Sequence, residues 1–63
     1  MPQRAIDIAK VEFGITQENV LDFLWKDFSS YSNDENISLE HEDDWVSWWK
    51  MFLAGADSAA NNT

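Results

Sequence analysis

"GITQENVLDFLWKDF", residues 14–28, holds a helix stop, a helix start and an amphipathic face within fifteen residues. Gly14 is the residue type that ends a helix in a left-handed C-terminal conformation, and Thr16 is a type that caps the next helix. With Thr16 as cap, the helix begins at Gln17 and places Glu18 in its first turn, where the macrodipole favours an anion. Val20, Leu21, Leu24, Trp25 and Phe28 then share one face, while Asp22 and Lys26 form an i,i+4 acid-to-base pair opposite. The expected span is 17–29. Phe23 stands off the stripe beside Asp27, so it either widens the core face or reaches a second surface.

Working outward, "PQRAIDIAKVEF", residues 2–13, supports two periods. Ile6, Ala9 and Phe13 fit a helical face, whereas Ile6/Ile8 and Val11/Phe13 alternate as in a strand. The reading favours a helix over about 3–13, with Pro2 near its start and Gly14 as its stop, and leaves the strand open. Downstream, "SSYSNDENIS", residues 29–38, is rich in side chains that compete for backbone hydrogen bonds, and is expected to be a loop. A third helix is expected near 40–54, capped by Ser38 or by Asp43, with acidic residues at its start, Lys50 towards its end and Gly55 as its stop. The fold class is therefore all-α: a small three-helix domain over 1–55 and a disordered tail over 56–63, "ADSAANNT", which has no large apolar group.

Size makes the aromatic content matter. A domain of 63 residues buries only about 60% of the surface its unfolded chain exposes. With no cysteine, and His41 as the only histidine, neither disulfides nor a zinc cluster is expected to hold the fold together. At 44% hydrophobic and 14% aromatic, the chain is too apolar to be wholly disordered despite a net charge of −8. The longest apolar run is Met51 to Ala54, so no membrane span is expected, and with no signal-like amino terminus the expected location is cytoplasmic. The charge repels phosphate backbones and anionic lipid, which excludes direct nucleic-acid or membrane binding as expectations and favours basic partners.

Two constellations stand out. Trp45, Trp48, Trp49, Phe52 and Leu53 form an i, i+3, i+4, i+7, i+8 stripe, which by itself reads as core filling. With Val46 the stripe covers about 160° at ~100° per residue, and Met51 lies outside that arc, more than one shallow core is expected to cover. The remainder reads as a docking face, since Trp and Met are enriched at binding hot spots, and a homodimer pairing the tryptophan faces would use the same residues. The second constellation is acidic: Asp34, Glu35, Glu40, Glu42, Asp43 and Asp44, with no basic residue between Lys26 and Lys50. It reads either as a solvated helix start or as a negative surface that steers onto a basic site, including one that normally binds nucleic acid.

Chemistry is not expected. Aligning Asp34, Asn36 and Ser38 with a calcium loop puts Leu39 where glycine is needed and Trp45 where a bidentate glutamate is needed. His41 has no cysteine to activate, the serines lie in no nucleophile motif, and Gly14 and Gly55 form no phosphate cradle. No enzyme activity, metal or cofactor is therefore expected.

"DIAKVEFGITQENVLDFL", Asp7 to Leu24, resembles the helix-turn-helix of bacterial and phage regulators. The resemblance implies Ala9 in the first helix, Gly14 in the turn and Thr16 as cap of the recognition helix, with Phe13, Ile15 and Val20 packing the corner. The sequence departs from that family in placing Ala9 five residues before Gly14 rather than four, which turns it off the packing face. Its would-be recognition helix also sets Glu18, Asp22 and Asp27 against Lys26 alone.

The expected function is therefore binding: a small acidic adaptor or inhibitor, of the kind phages and plasmids encode, docking on a basic site of a larger protein. The expected contact residues are Asp34, Glu35, Glu40, Glu42, Asp43, Asp44, Trp45, Trp48, Trp49, Met51 and Phe52. The alternatives are a helix-turn-helix regulator or subunit acting at DNA and a structural oligomer held by tryptophan faces.

Overall fold

The computed structural model describes residues 1–61, with side chains through Ala56. It is a three-helix domain: α1 is Gln3–Phe13, α2 is Glu18–Asp34 and α3 is Glu42–Asn61, with no strand among the described residues. Residues 3–13 are thus helical. Ala5, Ile8 and Ala9 form the buried face of α1, and Pro2 stands at the N-cap. Gly14 closes the helix at φ 66°, and its N–H and that of Ile15 both reach the Ala9 carbonyl. Ala9 is fully buried, so the five-residue spacing to Gly14 does not turn it outward.

The turn to α2 occupies residues 14–17. Thr16 is exposed and is not the cap. Gln17 holds that position in extended backbone without a side-chain bond, its carbonyl accepting the Leu21 N–H at 3.0 Å. The larger correction is at the other end, where α2 runs five residues past its expected stop, to Asp34. Ser29 to Asp34 stay helical because the helix ends in a Schellman-type cap centred on Asn36, at φ 58°. The Ile37 N–H donates to the Ser32 carbonyl at 2.8 Å and the Asn36 N–H to the Asn33 carbonyl at 3.4 Å, while Ile37 packs back against the core. The local competition from serine and asparagine is outweighed by that cap and by the packing of Phe28 and Ile37 in the core.

α3 starts at Glu42, between the two expected caps. The Asp44 N–H donates to the His41 carbonyl, and Ser38 Oγ instead accepts the Glu40 N–H within the connecting loop. Gly55 does not stop the helix, which continues into a segment whose alanines favour helix. The expected tail at 56–63 lies, from Asp57 onward, outside the described side chains, and residues 62 and 63 lie outside the described residues altogether.

The core is aromatic. Ala5, Ile8, Ala9, Leu21, Phe28, Trp45, Trp49 and Leu53 are buried, and Phe13, Ile15, Leu24, Trp25, Val46 and Phe52 are among the half-buried side chains packed against them. α1 and α3 approach each other most closely, as two alanines on the facing side of α1 allow. Trp49 spans that contact, its Nε1–H donating to the Ala5 carbonyl at 3.0 Å in a buried bond. From α2, Trp25 lies edge-on to both Trp45 and Trp49, with centroids 5.3 and 5.1 Å apart, and Phe28 tilts against Trp49 at 5.2 Å. Offset and edge-on pairs at this range each contribute about 0.5–1.5 kcal/mol beyond area burial. They offset the small size of the core.

Candidate docking surface

The tryptophan stripe divides across α3. Trp45, Trp49 and Leu53, at i, i+4 and i+8, face inward at 2%, 0% and 0% exposure. Trp45 and Trp49 therefore leave the set of surface contact residues, because a partner reaches them only if the core opens. The reason is the packing of α2 across that side of α3, which sets Trp25 against Trp45 and Trp49 and Phe28 against Trp49. Trp48 is 41% exposed and Met51 65% exposed, so these two expected residues do lie on the surface. Phe52 is half-buried, stacked on Trp49 with an interplanar angle of 17° and tilted against Phe28 at 5.6 Å.

Trp48, Met51 and Phe52 meet Tyr31 of α2 around a shallow groove of about 240 Å³. Tyr31 was not expected in the site, because residues 29–38 read as loop; yet it continues the Leu24 and Phe28 stripe at i+3 from Phe28, the spacing that would have found it. The groove has a firm floor, since Phe52 is held by the core, and solvent-exposed walls in Tyr31, Trp48 and Met51.

All six expected carboxylates, Asp34, Glu35, Glu40, Glu42, Asp43 and Asp44, are exposed. They gather at the end of the bundle where α2 leaves and α3 enters, and among the described residues no three acidic or histidine side chains converge closely enough to hold a metal ion. They form an extended negative rim, not a chelating pocket. Helical spacing ties this rim to the groove: Asp44 precedes Trp48 by four residues, and Asp34 and Glu35 follow Tyr31 by three and four, so each sits about one turn from a groove wall. Glu42 is the member partly compensated internally, by Arg4 Nε at 3.0 Å; Lys50 similarly meets Glu12 at 3.6 Å. Half of the four cations are thus spent on the chain's own carboxylates. His41 is exposed beside the rim.

At the position of the expected helix-turn-helix corner stands a short turn with Gly14 left-handed and Phe13 and Ile15 half-buried, but Val20 is exposed instead of packing it. The outer side of α2 presents Glu18, Asp22 and Asp27 beside Lys26, with Phe23 68% exposed among them. No helix among the described residues is long and apolar enough to cross a membrane. No family model, curated protein or solved structure matches this chain.

Proposed function

We propose that this protein is a small acidic binding module, an adaptor or inhibitor, that docks on a basic site of a larger protein. The observation that carries the proposal is the adjacency of the Tyr31, Trp48, Met51 and Phe52 groove to the carboxylate rim at Asp34, Glu35 and Asp44. An apolar aromatic patch beside uncompensated charge of one sign is how a docking surface differs from ordinary solvated surface. Each part has its own role. The rim raises the rate of encounter with a positive surface, and the groove supplies the desolvated contact that slows departure. A second copy of this chain is a poor occupant, because pairing two such faces brings two acidic rims together at a net charge of −8 per chain. A basic site that normally receives nucleic acid fits the same charge, and a role in blocking such a site is part of the proposal, as is a phage or plasmid origin for a module this small and acidic.

The test uses a defined basic amphipathic helix of Lys, Arg and Leu as the probe and follows association by stopped flow. Asp43→Asn/Asp44→Asn should slow association and flatten its salt dependence, while Trp48→Ala should mainly raise the dissociation rate. Association that is unchanged at low salt in the double variant would remove the steering role. Failure of the probe to bind at all would remove the docking role.

A further inference from the structure

Resting on that docking reading, we infer that the groove receives an arginine side chain of the partner, its guanidinium stacked on Trp48 and Tyr31 and reaching a carboxylate of the rim. Three features select this occupant. The lining side chains are three aromatic rings and a thioether, whose only polar groups are the Tyr31 hydroxyl and the Trp48 indole N–H, so the groove favours a flat, weakly hydrated cation over a strongly hydrated one. The nearest rim carboxylates on each helix, Asp44 on α3 and Asp34 and Glu35 at the end of α2, stand about one turn away, or ~5 Å along the axis. A guanidinium has a planar face for stacking and a fork of five donors at its edge, so it can cover an indole and bond a carboxylate at that distance together; a compact ammonium makes one of these contacts at a time. Finally, the charge excludes the competing occupants. An acidic or phosphorylated side chain meets a rim of its own sign, and an uncharged aromatic side chain leaves the rim unused.

The geometry also fixes the division of labour. Phe52, held between Trp49 and Phe28, is the rigid floor, whereas Trp48 is the wall that stacks, being on the same turn of α3 and open to solvent. Asp44, one turn towards the α3 N-terminus from Trp48, is the carboxylate placed to accept from a stacked guanidinium.

The experiment titrates the full chain with three peptides that differ only in the repeated side chain, four Arg-Gly, four Lys-Gly or four citrulline-Gly units, and follows the indole Nε1–H resonances by NMR. Each of the four tryptophans reports separately. The expected result is that the Arg peptide moves the Trp48 resonance and leaves Trp49, bonded to Ala5, in place. It should bind about 2- to 5-fold more tightly than the Lys peptide, the increment of an exposed cation–π contact, and citrulline, which keeps the plane and loses the charge, should bind least. Trp48→Leu, which keeps an apolar surface, should abolish the Arg preference, and Asp44→Asn should weaken the Arg peptide more than the Lys peptide. Equal binding of the Arg and Lys peptides with Trp48 unmoved would overturn the inference while leaving the basic-partner reading in place. No binding of either cationic peptide would overturn both. Retention of the Trp49 resonance in each variant shows that the fold survives the change.

Discussion

Trp49→Phe isolates what one buried indole does for a domain of this size. The substitution keeps an aromatic ring but removes the Nε1–H that donates to the Ala5 carbonyl and shrinks a fully buried side chain. Loss of the hydrogen bond costs about 1 kcal/mol. The smaller ring leaves roughly 40 Å³ unfilled, worth about another 1 kcal/mol at ~24 cal/mol per Å³, before weakened contacts with Trp25, Phe28 and Phe52 are counted. The expected loss is about 2–3 kcal/mol, against a total of roughly 3–9 kcal/mol for 63 residues at typical per-residue stability. In urea, with a slope of about 1 kcal/mol per M, the midpoint should fall by about 2–3 M when followed by far-ultraviolet circular dichroism. Trp48→Phe makes the same chemical change at a 41% exposed position and should cost less than about 0.5 kcal/mol. Equal midpoints for the two variants would refute the assignment of Trp49 as the link between α1 and α3.

Ser32 Oγ is buried without a hydrogen-bond partner, so Ser32→Ala should raise stability by about 1 kcal/mol; a loss in the same urea assay would mean that the hydroxyl is satisfied in solution. Gly14→Ala should cost about 1 kcal/mol from backbone strain alone, since its φ is 66° and an added Cβ meets nothing within 4 Å, and Gly14→Asn should cost less; thermal melts with Ala no worse than Asn would contradict the left-handed cap. Sedimentation equilibrium at micromolar concentration should report a monomer, because Trp45 and Trp49 are already covered within the chain; a stable dimer would move the search to the Trp48 and Met51 face as a self-association surface. Duplex DNA should show no gel shift even at low salt, and a shift would restore the regulatory reading of the Gly14 corner.

How legible the fold was depended on the range of the forces involved. α1 was readable because Pro2, the Ile6/Ala9/Phe13 face and Gly14 are local signals, and its helical period prevailed over the strand alternation once Ala5 and Ala9 met α3. The end of α2 was hard to read: serine and asparagine signal a loop locally, the Asn36 cap and the packing of Ile37 that override them are tertiary, and within 29–38 only the spacing of Tyr31 from Phe28 points to a longer helix. In α3 the apolar arc was visible, as was the expectation that one core could not cover it. Which tryptophan is left out was not, because Trp48 and Trp49 lie within the same arc and only the position of α2 separates 41% exposure from 0%. The carboxylate rim was legible as charge. Its adjacency to Tyr31 was hidden behind the misplaced loop.

The Trp49 to Ala5 bond also sets a timetable. Its donor enters the chain forty-four residues after its acceptor, so while the protein is being made α1 and α2 exist for some time with no α3 to pack on. From the end of α2 at Asp34 to Trp49 that interval, at about 5–20 residues per second, is roughly 1–3 seconds, long compared with the microseconds in which helices form and melt. During it Ile8, Leu21, Trp25 and Phe28 are exposed together on a fragment that cannot close, and the last buried anchor, Leu53, arrives later still. Closure of the core therefore waits on α3, and a chain that stops short of Trp49 leaves the apolar faces of α1 and α2 without their cover.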